Sequence, residues 1–202
     1  MKFSEKHFET ALSYPVYSEY AEALLTGISN DSTNPMRGYA AANLHIIQRL
    51  KKSVKITDEL TRAISSMAPV MLVILTEGYC GDSAQTFPVF GKMQELFPDK
   101  IEIKVVLRDE NLDTADKYFR TRAIPRLICL DRLTLTEKFN WGNRPMPAKK
   151  LMDDLKEKGR TMKEKSVQLH HWYAKDKTMT LQNELTQLFG FECKKKEMKA
   201  HE

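Results

Sequence analysis

Val70-Met71-Leu72-Val73-Ile74-Leu75, followed one residue later by Glu77-Gly78-Tyr79-Cys80-Gly81-Asp82, decides how this chain is read. A run apolar at every position reads as a strand buried on both faces of a sheet, because a half-exposed strand alternates. The glycine-flanked turn then feeds a helix through about Phe97, interrupted by Pro88. Cys80 therefore stands directly after a buried strand and at the start of a helix. There, unpaired backbone N–H groups and the helix dipole favour thiolate over thiol. A single cysteine is most often a small buried hydrophobe. A turn flanked by glycines is a poor place to bury one, so Cys80 is the first candidate for chemistry.

Upstream, Thr57 caps a helix with Asp58 and Glu59 in its first turn, where negative charge suits the dipole. Leu60, Ile64 and Met67 give its apolar face, and Pro69 stops it. Ser53-Val54-Lys55-Ile56 is a short strand candidate. Residues 1–52 read as helical. Asn34-Pro35 is a start signal, and Ala40, Leu44, Ile47 and Leu50 recur at helical spacing behind it. The aromatic opening (Phe3, Phe8, Tyr14, Tyr17, Tyr20) is expected to pack on the same body.

Downstream, Ile101 to Leu107 is the next strand, followed by a helix through Tyr118 and then Ala123-Ile124-Pro125. Arg126 to Leu130 and Leu135 to Phe139 read as two further strands. Trp141-Gly142-Asn143-Arg144-Pro145 turns into charged helices, the last with apolar residues at Leu181, Leu185, Leu188 and Phe189. Lys194 to Lys199 reads as a solvated tail. Strands alternating with helices imply an α/β fold around one sheet. The expected organisation is an N-terminal helical extension over 1–52, a core over 53–160, and C-terminal helices with a basic tail over 161–202.

Composition narrows the class. In 202 residues, 42% hydrophobic and 29% charged content is ordinary for a globular protein and excludes a disordered or collagen-like chain. The net charge of +5 collects in the last quarter, without the clustered cations a nucleic-acid face needs. Three widely spaced cysteines do not form a disulfide framework. Val70 to Leu75 is too short to span a bilayer, and the first residues lack an apolar leader core. The expectation is a cytoplasmic protein with free thiols, binding neither membrane nor nucleic acid.

Other candidates have plainer explanations. Cys129 falls inside a strand and reads as core. Cys193 reads as an exposed thiol near the tail, within reach of Cys80 only from a flexible end. His170-His171 are adjacent and so point about 100° apart on a helix, with no accompanying ligand set, and no metal is expected. Asp109-Glu110 reads as the acidic start of a helix. Trp141 to Pro145 offers an aromatic and a cation to line a cleft, or a simple sheet-to-helix turn.

The segment Val54 to Phe139 resembles the thioredoxin superfamily. Cys80-Gly81-Asp82-Ser83 stands where that family has Cys-Gly-Pro-Cys. Pro88 matches the proline of the family's active-site helix, and Arg122-Ala123-Ile124-Pro125 resembles the run that ends in a cis-proline facing the cysteine. Together with Leu107-Arg108-Asp109-Glu110-Asn111 and Trp141-Gly142-Asn143-Arg144-Pro145, it is similar to a poorly characterised bacterial branch in which many members lack the second cysteine. The resemblance implies a thioredoxin-like three-layer fold with a central mixed sheet. It implies Cys80 and Ser83 as the catalytic positions, Tyr79, Ile124 and Pro125 as the substrate edge, and no cofactor.

The departures shape the chemistry. Ser83 replaces the resolving thiol, Ile74 stands where the family has a buried Asp, and Tyr79 replaces its Trp. Asp82 places a negative charge beside the thiol and opposes a lowered pKa. Three readings stay open. In one, Cys80 exchanges disulfides as a monothiol, with a disulfide-containing protein or glutathione as partner. In another, the scaffold is a binding module with a vestigial site. In the third, Cys80 senses oxidants.

Overall fold

The computed structural model describes residues 9–200, with side chains as far as Gly190. Phe3 and Phe8, and the side chains of Cys193 and of Lys194 to Lys199, lie outside the described residues. The strands are β1 (Leu12–Ser13), β2 (Val70–Thr76), β3 (Ile101–Leu107), β4 (Arg126–Asp131) and β5 (Glu137–Gly142). They form one mixed sheet in the order β1-β3-β2-β4-β5. β2 and β3 are parallel, while the β1–β3, β2–β4 and β4–β5 pairs are antiparallel. β2 is flanked on both sides, which is why its sequence is apolar throughout.

The helices are α1 (Tyr14–Asn30), α2 (Arg37–Ser53), α3 (Asp58–Ser66), α4 (Gly81–Leu96), α5 (Leu112–Thr114), α6 (Met146–Glu157), α7 (Met162–Asp176) and α8 (Met179–Ala200). α5 runs on as a π-helical turn, Ala115–Phe119, where one longer helix was expected. The main core lies on one face of the sheet. There Leu72, Ile74, Ile103, Val105, Leu127 and Cys129 meet residues of α1, α3, α4 and α8. The opposite face carries a smaller cluster, in which Val73, Leu75, Val106 and Ile128 sit against Ala115 and Phe119. The result is a three-layer α/β arrangement of thioredoxin type. Each large aliphatic side chain sealed in the main core contributes about 1.5–3 kcal/mol relative to exposure.

Local sequence explains the elements that matter for the site. The Thr57 side chain accepts from Leu60 N at 3.3 Å, so α3 starts where its cap dictates. α4 passes straight through Pro88 as one helix. Tyr14 and Tyr17 pack against Phe87 of α4, with ring centroids 6.4 and 4.6 Å away. Leu181, Leu185 and Phe189 bring α8 onto the main core, and Phe139 meets Phe189 edge-on at 5.3 Å.

Several expected boundaries move. Ser53 to Ile56 is not a strand. α2 runs through Ser53, and the backbone beyond it is satisfied by one side chain of α8 instead of a ladder. Gln182 Oε1 accepts from Thr57 N at 2.9 Å, and its Nε2 donates to Lys55 O at 3.2 Å. The free edge of β3 is paired by Leu12–Ser13, a two-residue strand with no periodicity to reveal it. Asn34 Oδ1 accepts from Met36 N at 2.9 Å in the turn before α2, so that helix begins three residues after the start signal. The last strand starts at Glu137, because Leu135 adopts φ 54° in a turn organised by Asp131 Oδ1, which accepts from Leu133 N and Thr134 N. The backbone of α8 extends through the basic segment to Ala200.

Candidate functional site

β2 delivers the chain to the turn at Glu77, and α4 carries it away. Cys80 is the residue that caps α4: its backbone is extended, and its carbonyl accepts from Ala84 N at 3.0 Å. Its N–H donates to Glu77 O at 3.1 Å, which closes the turn. The side chain is half-buried, and Sγ donates to the Ile124 carbonyl at 3.7 Å. The Ile124–Pro125 bond is cis. Cys80, Ile124 and Pro125, separated by more than forty residues of sequence, thus meet at one edge.

α2 covers the turn from the other side. A Cβ on Gly81 would lie 2.5 Å from Tyr39 Oη, so glycine here leaves room for the Tyr39 side chain of α2. Asn43, fully buried on the same helix, donates from Nδ2 to Tyr79 O at 3.2 Å.

Ser83 is 2% exposed, and its hydroxyl lies 2.5 Å from Thr76 Oγ1, so the position of the second family thiol is filled by a buried hydroxyl pair. Ile74 is fully buried within the main core. Tyr79 is 38% exposed and is held by neither Cys80 nor Ile124. Its hydroxyl donates to Asp109 Oδ2 at 2.5 Å and accepts from Arg108 Nη2 at 2.8 Å. Partial burial and then the Asp109 carboxylate push its phenol up to about 12. The Tyr79 bond holds the Asp109 carboxyl below its ordinary range. Arg108 also donates from Nη1 to Arg122 O at 3.3 Å, which ties this cluster to the loop before Pro125. Asp109 is therefore not the acidic start of a helix; α5 begins later, after Asn111.

The arrangement around Asp82 is the part the sequence concealed. Asp82 is 7% exposed and receives a two-point ion pair from Arg144, Nε to Oδ1 at 3.0 Å and Nη2 to Oδ2 at 2.7 Å. The Tyr173 hydroxyl of α7 donates to Oδ1 at 2.9 Å. Burial raises the Asp82 carboxyl, and Arg144 is the largest influence opposing that rise. Arg144 belongs to the Trp141-to-Pro145 segment whose cation was noticed in the sequence. Tyr173, which follows Trp172 in α7, gave no signal.

The expectation that the helix start lowers the Cys80 thiol is corrected. Burial pushes it above the ordinary thiol range; the Ser83 hydroxyl opposes the rise and the Asp82 carboxylate adds to it. Trp141 is largely buried, and with Arg144 it borders a surface hollow that Met146, Glu184 and Leu188 also line. It packs edge-on against Phe90 at 6.0 Å and donates from Nε1 to Glu184 Oε2 at 2.6 Å. The other Glu184 oxygen accepts from Met146 N at 2.7 Å, so α8 fixes the loop that carries Arg144.

Cys129 is fully buried in β4. Among the described residues no group of three or more His, Cys, Asp or Glu side chains is placed to hold a metal, and His170 instead bears on Asp82. Among them, too, no helix is long and apolar enough to cross a membrane.

A family profile described as thioredoxin matches residues 29–156, a span that takes in α2 and the whole site as far as Arg144. Among solved structures, a protein of unknown function from Pseudomonas aeruginosa is similar with a TM-score of 0.62 at 14% identity, covering 95% of this chain and 99% of the other. An HIV epitope-scaffold is similar with a TM-score of 0.54, also at 14% identity, covering 94% of each chain. At that identity both likenesses speak to the fold alone. A comparison with curated proteins finds no match.

Proposed function

The chain belongs to the thioredoxin family, and on that footing we propose that it exchanges disulfides through Cys80 as its single nucleophilic thiol. The observation that carries this reading is the meeting of Cys80 Sγ with the Ile124 carbonyl, 3.7 Å away beside Pro125. In the proposed cycle the Cys80 thiolate attacks one sulfur of a substrate disulfide. The S–S bond breaks, a mixed disulfide forms at Cys80, and the other sulfur leaves as a thiolate. Ser83 has no sulfur to release the complex, so an external thiolate of the glutathione class attacks the substrate sulfur of the mixed disulfide, forms a disulfide with the substrate, and releases Cys80 as a thiolate. Ile124, Pro125 and the exposed ring of Tyr79 are the surface on which the substrate docks. Because the Cys80 thiol lies above its ordinary range, exchange accelerates with pH through the neutral region and beyond.

A second reading, a binding module with a silent thiol, is favoured by one observation: Cys80 is half-buried and Asp82 is fully engaged with Arg144 and Tyr173. One trapping experiment separates the two. Native protein and Cys80→Ser are incubated with disulfide-bearing proteins, and adducts released by dithiothreitol are identified. Adducts specific to the native thiol, lost on adding glutathione, support exchange. Identical, dithiothreitol-insensitive partners on both proteins would establish the binding module.

A further inference from the structure

The face of the sheet opposite the main core holds a cavity of about 410 Å³ between the π-helical turn, β4, β5 and the start of α6. Its size lies within the roughly 300–1,000 Å³ range of small-molecule sites. Its charge is unusual for this chain. Arg120, Arg126 and Lys149 line it, with Glu137 as the single carboxylate. The strand pattern explains why Arg126 is there. Leu127 points into the main core and Ile128 into the smaller one, so Arg126 shares the face of Ile128.

None of these cations has a carboxylate partner among the described residues. Arg126 donates from Nη1 to Gly142 O at 3.3 Å and from Nη2 to Asn140 Oδ1 at 2.5 Å, and its buried Nε has no acceptor. Glu137 Oε1 accepts from Asn140 Nδ2 at 3.0 Å and so helps to hold the amide that positions the guanidinium. A buried guanidinium N–H without an acceptor is costly to leave unpaired. Two unpaired cations beside it leave the wall with a surplus of two positive charges over Glu137. A phosphate monoester carries about −1.5 to −2 charges at neutral pH and three acceptor oxygens, which matches that surplus. A single carboxylate does not.

We infer that this cavity is a binding site for a small phosphate monoester, with Arg126, Arg120 and Lys149 as its cationic wall. The site is distinct from the Cys80 edge, because none of Cys80, Ile124 and Pro125 lines it, although Arg126 follows Pro125 directly and also borders a second hollow shared with Trp141, Arg144 and Glu184.

Binding of inorganic phosphate, glucose 6-phosphate and glucose is measured by calorimetry on the full chain at low salt. Both phosphates bind saturably and glucose does not. Arg120→Asn, which suits the φ of 55° at that position, and Lys149→Ala each weaken phosphate at least fivefold. Both residues are exposed, so the fold is retained. Glu137→Gln keeps the acceptor for Asn140 and tightens binding. Lys163→Ala, on α7 away from the cavity, changes nothing, and Cys80→Ser binds as the native protein does. The inference is overturned if glucose binds as well as its phosphate, if Lys163→Ala weakens binding as much as Lys149→Ala, or if neither phosphate binds. Selective binding of a phosphorylated peptide with no affinity for the small phosphates would overturn it equally.

Discussion

Removing Arg144 tests whether the ion pair beneath Cys80 holds the site together. Asp82 is 7% exposed and Arg144 22%, so the carboxylate is the more deeply buried partner. Breaking a buried pair by deleting one member costs about 3–5 kcal/mol, because the remaining charge is left without compensation. Water still reaches the guanidinium end, and the Tyr173 bond to Asp82 survives the change, so the loss belongs near the lower end, about 3 kcal/mol. For a chain of this size that corresponds to a fall in Tm of roughly 6–12 °C.

The pH dependence sharpens the test. Burial raises the Asp82 carboxyl above its ordinary value of 3.8, so the folded state holds that proton more tightly than the unfolded chain does. The stability this contributes is complete below 3.8 and is lost as pH rises through the raised folded value. Arg144 opposes the rise; without it the carboxyl moves higher still, and Arg144→Ala loses more at pH 7.5 than at pH 4.5. His170 on α7 and the Cys80 thiol also bear on this carboxyl, so the comparison includes His170→Gln. Urea unfolding at the two pH values gives the difference directly. Asp82→Asn in the Arg144→Ala background restores most of the loss. A cost below about 1 kcal/mol, equal at both pH values, would place the pair among ordinary surface ion pairs and refute the argument.

Three further outcomes are expected. Asp82→Asn removes a negative charge from beside Cys80, lowers the thiol pKa and raises the rate of iodoacetamide labelling at pH 7 severalfold, followed by mass spectrometry against Cys129, which stays unlabelled in the folded protein; an unchanged rate would show that burial alone sets the thiol. Gly142→Ala places a Cβ 2.6 Å from Pro125 O at a φ of 134°, so it lowers stability by about 1–3 kcal/mol and disturbs the edge at Ile124, read as a changed Cys80 labelling rate; a native-like melt would mean that β5 yields freely there. The native protein gives little dithiothreitol-driven insulin reduction, whereas Ser83→Cys supplies the internal thiol and gains turnover; a variant that forms the disulfide without gaining activity would count against substrate access at Pro125.

How far the sequence reaches depends on whether the determining interaction is local or distant. β2 was legible because burial on both faces leaves an unbroken apolar run, β3 because Ile101, Ile103 and Val105 alternate with Glu102 and Lys104, and α3 because Thr57 caps it with its own side chain. Ser53 to Ile56 misled because its fate is set by Gln182, far away in sequence, which occupies the backbone groups that a strand would have paired. β1 was invisible for the complementary reason: two residues carry no period, and only the unpaired edge of β3 makes them a strand.

The same distinction governs the site. Cys80 could be found because a buried strand, a glycine turn and a helix start are local signals, and Ser83 and Pro125 through the resemblance of Cys80 to Ser83 and of Arg122 to Pro125 to the thioredoxin motifs. The neighbours that set the behaviour of the thiol could not. Asp82 looked like a charge that merely opposes a thiolate. The structure turns it into an anchor, held by Arg144 from the loop after β5 and by Tyr173 from α7, while Glu184 of α8 fixes the loop that presents Arg144. The C-terminal helices therefore do more than cover the sheet: two of them supply side chains that fix the residue next but one to the candidate nucleophile.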